Sequence, residues 1–126
     1  MIEVRSEKKG VSASWVKRVA SGTLKAERSP IDLNILITGD SAIRKINKKF
    51  LKHDYATDVV SFETGDIVVS ADTAKRFAKE LGIPFREELA RYVVHGTLHL
   101  LGYDDKKKKD RERMHKRQEA LLKKFL

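Results

Sequence analysis

Two histidines four residues apart are the side chains of this sequence best suited to metal chemistry. His95 and His99 lie in the stretch HGTLHLLGYDD, and residues four apart share one face of an α-helix. Gly102 suits the left-handed conformation that ends a helix, so the following residues turn back towards that face. The spacing therefore predicts that both imidazoles point at one site.

The residues after Gly102 offer a third ligand. Asp104 and Asp105 are the nearest carboxylates, and three protein ligands plus water is the usual arrangement of catalytic zinc. The chain has no cysteine, which excludes a closed thiolate site. The alternative is that the histidines are ordinary packed or surface side chains, because a pair at this spacing arises easily by chance.

The positive charge of the chain is concentrated at its C-terminal end. The 126 residues carry a formal net charge of +9, and residues 106–126 hold ten Lys and Arg against three Asp and Glu. A basic segment that contains Lys106, Lys107, Lys108 and Lys109 favours an anionic polymer as partner. The alternative is the solvated face of a helix in a charge-rich protein.

Composition is typical of a soluble, well-solvated globular protein. Hydrophobic residues make up 40% and charged residues 36% of the chain, which we expect to form one domain, 1–126. No apolar run approaches the length needed to cross a membrane, and the first residues lack the hydrophobic segment of a signal peptide. We therefore expect a cytoplasmic protein with no membrane and no disulfide partner.

Hydrophobic periodicity predicts four strands and five helices, which is typical of an α/β (α+β) fold. Strands are expected where apolar and polar residues alternate, and helices where apolar residues recur every three or four positions. The predicted strands cover 2–5, 31–37, 57–62 and 66–69. The predicted helices cover 12–27, a stretch capped by Asp40, a stretch between Ser70 and Gly82, then 84–101 and 110–125.

The helix predicted over 84–101 has apolar residues almost all round, so we expect it to be the buried central helix. Polar side chains form a single stripe along it. That stripe should open onto a cleft, and it consists of Glu88, Arg91, Tyr92, His95 and His99.

Three longer motifs follow one another in an order that is typical of one family. Residues 95–104 match the pattern HGxLHLxGYDH up to its last position, where this chain has Asp105. Residues 46–62 echo LNxxYRxKDxPTDVLSF, and residues 65–70 echo GDIVIS. Over about residues 31–126 the chain thus resembles the YbeY family of metal-dependent endoribonucleases, the bacterial rRNA maturation factors.

This resemblance implies a small α/β domain with a mixed four-stranded sheet and a central helix that carries two metal-binding histidines. It also implies cleavage of single-stranded RNA in rRNA processing, in particular at the 3′ end of the small-subunit rRNA, and a role in ribosome quality control. Partners would be rRNA and the ribosome or its small subunit. His95 and His99 match the first two ligands of one zinc ion per chain, and Asp105 stands at the third position.

Two positions depart from the family pattern. Asp105 replaces the usual third histidine, and Leu51 replaces an arginine that faces the substrate phosphate. A carboxylate binds zinc at a similar distance but adds negative charge, so iron, manganese or nickel also suit such a site. Lys48, Lys49 and Lys52 are near enough to replace part of the arginine's phosphate contact. Alternatively, they form an exposed, lysine-rich helix end.

The signature itself supplies no general base. The HExxH proteases place a glutamate after the first histidine, where this chain has Gly96, so peptide hydrolysis of that kind is disfavoured. Lys52 and Asp104 are candidate catalytic residues, and Glu88 or Asp104 is a candidate base or partner of a ligand. Two other functions stay open: an RNA- or ribosome-binding factor with weakened catalysis, and a metal-dependent hydrolase of another substrate.

Overall fold

Four strands and five helices follow one another along the chain. The structure is a computed structural model that describes all 126 residues. None of its helices is both long and apolar enough to span a bilayer. The elements are β1 (Ile2–Ser6), α1 (Ala13–Ala26), β2 (Leu33–Thr38), α2 (Asp40–Leu51), β3 (Val59–Ser61), β4 (Asp66–Ser70), α3 (Ala71–Leu81), α4 (Phe85–Leu100), α5 (Lys108–Leu122) and a 3₁₀ turn at Lys123–Phe125.

The four strands form one mixed sheet in the order β1-β2-β4-β3. The strands β1, β2 and β4 are parallel, and β3 pairs with β4 in the antiparallel direction at one edge. Parallel neighbours need a crossover connection, which α1, α2 and the β3 hairpin provide here. The α+β class and the mixed four-stranded sheet expected from the sequence are both confirmed.

Alternation along the strands divides the apolar residues between the two faces of the sheet. Ile35, Ile67 and Val69 point into the main core, which they share with apolar side chains of α1 and α4. Val68 points the other way and packs with Ile43 of α2 in a smaller cluster. One face of the sheet thus carries most of the core.

Helix α4 is the buried centre of the molecule, as predicted. It contacts α1, α3, α5, β3 and β4, and its residues Val93, Val94 and Leu98 are fully buried. Its Gly96 lies directly against the sheet. A Cβ at this position would lie 2.9 Å from Cγ2 of Ile67 and 3.0 Å from Cγ2 of Val59.

Helix starts agree with the sequence at one place and differ at another. Ser70 is the N-cap of α3, as predicted, and its hydroxyl accepts a hydrogen bond from the backbone N–H of Thr73 at 3.2 Å. The prediction that Asp40 caps α2 is wrong, because Gly39 holds that position. The Asp40 carboxylate instead accepts hydrogen bonds from the hydroxyls of Ser70 and Thr73, each at 2.7 Å.

The strand predicted over 57–62 is shorter in the structure, where β3 covers only Val59–Ser61. The cause is local hydrogen bonding by Asp58. Its carboxylate accepts from the backbone N–H of Val59 at 2.7 Å and from the hydroxyl of Thr57 at 3.2 Å. Such side-chain bonds compete with a strand ladder, so the regular strand begins only at Val59, although the carbonyl oxygen of Asp58 still accepts a hydrogen bond from the N–H of Ser70 at 2.9 Å.

The close approach at Gly96 predicts a packing defect in the Gly96→Ala variant. Overpacking costs about 1–3 kcal/mol, while alanine gains at most about 1 kcal/mol in helix propensity. We expect a net loss of about 1 kcal/mol in the free energy of unfolding, measured by urea denaturation. The control is Gly22→Ala in α1, whose Cβ would meet only the movable outer end of the Phe125 ring. A Gly96→Ala protein as stable as wild type would contradict close packing here.

Candidate active site

Both histidines lie on the side of α4 that is open in the C-terminal half of the helix. The side chain of His95 is 30% exposed and His99 is exposed, whereas the residues on either side of them in the helix are largely buried. The two rings are nearly parallel, at 9°, with their centroids 6.4 Å apart. The helical spacing therefore places the two imidazoles side by side, and the prediction that both point at one site stays a prediction.

The turn after α4 brings Asp105 back to His95. Gly102 has φ of +101°, a left-handed conformation that glycine adopts without steric cost. The chain reverses there, and an Oδ2 of Asp105 comes to lie 3.9 Å from Nε2 of His95. Of the two carboxylates after Gly102, Asp105 is thus the one that approaches a predicted ligand.

Asp104 faces away from the histidines. Its carboxylate accepts a hydrogen bond from the backbone N–H of Lys106 at 2.9 Å, which closes a tight turn. It lines a surface cavity with Tyr103 and Arg113, and neither histidine lines that cavity. Its position favours a role in shaping the turn, and its catalytic role stays a prediction.

A hydrogen-bond chain from α5 determines which ring nitrogen of His95 is free. The amide nitrogen of Gln118 donates to the carboxylate of Glu119 at 3.1 Å, and a carboxylate only accepts. The amide oxygen of Gln118 must then face Nδ1 of His95, at 2.8 Å. Nδ1 therefore carries the proton and donates it to this oxygen. In the neutral imidazole Nε2 then carries the lone pair, and it lies 3.9 Å from Oδ2 of Asp105.

Charged partners fix Glu119 in turn. The Arg91 guanidinium donates to both of its carboxylate oxygens, at 2.9 and 3.0 Å. Burial acts to raise the pKa of Glu119, but hydrogen bonds from Arg91 and Gln118 outweigh it and hold that pKa below its ordinary value. Glu119 is consequently an ionised acceptor at neutral pH, which is the state that orients Gln118.

Glu88 belongs to the same buried network. It is only 5% exposed, and its carboxylate pairs with Arg91. Burial, together with a hydrogen bond to Glu88, raises the pKa of Tyr92. These contacts make Glu88 part of the polar network along α4, and its role as a base or as the partner of a ligand stays a prediction.

A second network holds the turn that carries Asp105. The hydroxyl of Tyr103 donates to Glu27 at the end of α1, at 2.7 Å, and Arg117 of α5 donates to the other Glu27 oxygen at 3.1 Å. Burial acts to raise the pKa of Glu27, but these two hydrogen bonds outweigh it and lower that pKa. The turn is therefore tied to both α1 and α5.

Sequence reasoning missed Gln118, Glu119 and Glu27. None of them belongs to a recognisable motif, and each reaches the site from a helix distant in sequence. The only advance signal was the amphipathic pattern of the last helix, which predicts that one of its faces packs on the core.

The predicted RNA-contacting lysines lie on the surface. Lys48, Lys49 and Lys52 are exposed at the end of α2, and Lys52 has a left-handed backbone with φ of +62°. Leu51 beside them is 42% exposed. Residues 106–109 are all exposed at the start of α5. No hydrogen bond or ion pair joins any of these lysines to the histidines, so their role stays a prediction.

The donor set at His95 fits a divalent metal ion chemically. Nε2 of His95 is held free by Gln118, as in sites where an outer partner fixes a ligating imidazole. A carboxylate lies 3.9 Å from that nitrogen, and the second imidazole follows one turn later. The three side chains do not form a compact ligand cluster in the structure. The ligand set of His95, His99 and Asp105 therefore stays a prediction.

Comparison with known proteins gives the family. The family model described as endoribonuclease YbeY matches residues 1–126. The chain belongs to the endoribonuclease YbeY family. The prediction made from its three motifs is thereby confirmed.

Individual relatives agree with this assignment. The endoribonuclease YbeY of Aquifex aeolicus is 39% identical, over 87% of this chain and 81% of that protein. Its counterpart from Syntrophotalea carbinolica is 35% identical, over 96% and 91%. The one from Myxococcus xanthus is 43% identical over 76% of this chain but only 37% of that longer protein. The fold is similar to a solution structure from Thermotoga maritima, with a TM-score of 0.75, 27% identity and coverage of 99% and 89%.

The hydrogen bond from His95 predicts that Gln118 affects metal affinity without touching the metal. Loss of an outer partner typically costs about 10- to 100-fold in affinity, and we expect this loss for divalent zinc in Gln118→Leu. Gln118→Glu keeps an acceptor at Nδ1 and should retain most of the affinity. Competition with a chelating dye measures both variants. Equal affinity of wild type and Gln118→Leu would contradict the role given to this bond.

The lowered pKa of Glu27 predicts a pH-dependent contribution to stability. A carboxylate whose pKa is lowered in the folded state stabilises the fold at pH values above its unfolded pKa, near 4.5. This stabilisation disappears as the pH falls through the folded pKa. Glu27→Gln should therefore be less stable than wild type at neutral pH, and the difference should shrink below about pH 4.5. Urea denaturation across this range measures it, and a difference independent of pH would contradict the assignment.

Proposed function

We propose that this protein is a metal-dependent endoribonuclease that cuts single-stranded rRNA. Membership of the endoribonuclease YbeY family makes RNA hydrolysis its class of reaction. We further propose maturation of the 3′ end of the small-subunit rRNA and ribosome quality control as its cellular roles. These roles imply contact with the ribosome or its small subunit in the cytoplasm.

One observation carries the metal part of this proposal. In the neutral imidazole, the bond from Nδ1 of His95 to Gln118 leaves the lone pair on Nε2, which lies 3.9 Å from a carboxylate oxygen of Asp105. We propose that His95, His99 and Asp105 hold one zinc ion. When bound, such an ion supplies Lewis acidity, which polarises a phosphodiester oxygen and lowers the pKa of water.

The protein's own residues would bind and orient the RNA. The exposed lysines at the end of α2 and at the start of α5 can pair with phosphates, Lys48 in exchange for its 3.8 Å contact with Asp54. The Asp105 carboxylate makes the site less positive than a third histidine would, which weakens its attraction for phosphate. Zinc is the proposed ion, and iron, manganese or nickel also suit two imidazoles and a carboxylate.

Matched variants test the ligand set. We expect wild type to contain close to one divalent ion per chain and to cut a single-stranded RNA faster than the same RNA annealed to its complement. His95→Ala, His99→Ala and Asp105→Ala should lose bound metal and at least about 100-fold in cleavage, because Lewis acidity contributes several kcal/mol. Asp104→Ala is the matched control, since its carboxylate faces the turn, and it should keep its metal.

Elemental analysis and gel-based cleavage assays measure these outcomes. Metal and cleavage unchanged in both histidine variants would contradict the proposal. If Asp104→Ala loses its metal and Asp105→Ala keeps it, Asp104 is the third ligand in place of Asp105. The proposed class of reaction would then still hold.

A second candidate is an RNA- or ribosome-binding factor with weakened catalysis. Two substitutions favour it: Asp105 at the position of the third histidine, and Leu51, exposed at 42%, at the position of the phosphate-facing arginine. This candidate predicts tight, salt-sensitive RNA binding with little turnover. The double variant Leu51→Arg, Asp105→His should then raise the cleavage rate by about tenfold or more, since a bidentate arginine contact contributes about 1.5–3 kcal/mol. A wild type that already turns over as fast as the double variant would exclude it.

A further inference from the structure

Exposed apolar side chains are concentrated in one short segment. Seven large hydrophobic residues are exposed in the whole chain, and three of them fall within six positions: Phe50 at 58%, Leu51 at 42% and Tyr55 at 54%. Single exposed apolar residues are ordinary, but a contiguous group marks a contact surface. We call residues 50–55 the aromatic segment.

The rings of this segment are held in place although they are exposed. Phe50 meets Phe62 edge-on, with centroids 5.6 Å apart. His53 and Tyr55 lie 5.3 Å apart at a tilt of 43°. The amide of buried Asn47 donates to the carbonyl oxygen of Tyr55 at 3.0 Å, which fixes the backbone under the rings. The surface is therefore largely preorganised, and a ligand would lose little by ordering it.

The charge around the rings indicates the kind of partner. Lys48, Lys49 and Lys52 are exposed beside them, and Nζ of Lys49 lies 5.3 Å from the centroid of Phe50. The one acidic residue of the segment, Asp54, is paired with Arg44 at 2.9 Å and with Lys48 at 3.8 Å. Flat rings among lysines match the surfaces that bind single-stranded nucleic acid, where bases stack on rings and lysines meet the backbone.

The aromatic segment leads directly to the candidate active site. Tyr55 lies three positions before Asp58, a span of at most about 10 Å. Asp58 and His95 line the same cavity, of about 260 Å³. Beyond it, the hydroxyl of Ser61 in β3 donates to the carbonyl oxygen of Gly96 at 3.0 Å. An RNA strand bound on the aromatic segment would therefore run towards His95.

We propose that Phe50 and Tyr55 form a base-stacking subsite for single-stranded RNA, next to the cleavage site. This inference rests on the proposed function and adds to it how the enzyme selects unpaired bases. Bases inside a duplex are stacked on one another and cannot lie on these rings, so the subsite favours single strands.

Two probes separate stacking from phosphate binding. One is a 2′-O-methyl oligoribonucleotide, checked for intactness after each measurement, and the other is an abasic oligomer with the same number of phosphates. Fluorescence anisotropy gives the affinity of each for metal-loaded protein. We expect wild type to prefer the base-bearing probe by at least about fivefold, since stacking contributes about 1–3 kcal/mol per base.

Variants assign that preference to the two rings. Phe50→Ala and Tyr55→Ala should each reduce the preference about fivefold, whereas Tyr55→Phe should keep it, because its ring still stacks. Lys48→Ala should lower the affinity for both probes by the same factor. Leu81→Ala in α3 removes an equally exposed apolar side chain, at 61%, and should change neither affinity.

Three results would overturn the inference: no preference in wild type, an unchanged preference in both alanine variants, or an equal loss in Leu81→Ala. Binding to phosphatidylglycerol vesicles that is lost in Phe50→Ala, without any base preference, would assign the surface to membranes instead. Cleavage of RNA by wild type is measured separately. Cleavage without base preference contradicts only the stacking subsite. Base preference without cleavage contradicts only the proposed reaction.

Discussion

The contact between α4 and the sheet is the constraint on which the rest of the structure depends. Gly96 allows the helix to approach β3 and β4 so closely that an added Cβ would lie 2.9 Å from a methyl group of Ile67. This contact buries one side of α4, while α1, α3 and α5 cover most of the remainder. In the C-terminal half of α4, the side left open is the one that carries His95 and His99. Gly96, which packs against the sheet, is thus the direct neighbour of His95, which faces the candidate site.

Burial of α4 also requires the network of ion pairs and hydrogen bonds that lies behind the candidate site. Arg91 lies on the same helix, and its ion pairs with Glu88 and Glu119 satisfy buried charges that would otherwise be costly. Through Gln118 this network extends to Nδ1 of His95. A structural requirement of the core, the pairing of buried charges, therefore also fixes the tautomer of a predicted metal ligand. Helix α5 contributes to the ion pairs through Glu119 and to the bond with His95 through Gln118.

Local patterns predicted the elements and the first two candidate ligands, because helical spacing acts within a few residues. His95, His99 and the left-handed Gly102 follow from that spacing alone. The orienting bond could not be predicted, since Gln118 comes from another helix, 23 positions away, and belongs to no motif. The errors have a similar cause. Asp40 resembles a helix cap in sequence, but its carboxylate is taken by side chains of α3, some 30 residues later.

Anomalous X-ray diffraction from zinc-loaded crystals tests the central claim most directly, because it locates the ion and its ligand atoms together. We predict one ion bound by Nε2 of His95, by His99 and by the carboxylate of Asp105, with Nδ1 of His95 still bonded to Gln118. Metal–ligand distances should be about 2.0–2.2 Å. An ion bound through Nδ1 of His95, or a crystal with zinc in solution and no ion at these residues, would contradict it.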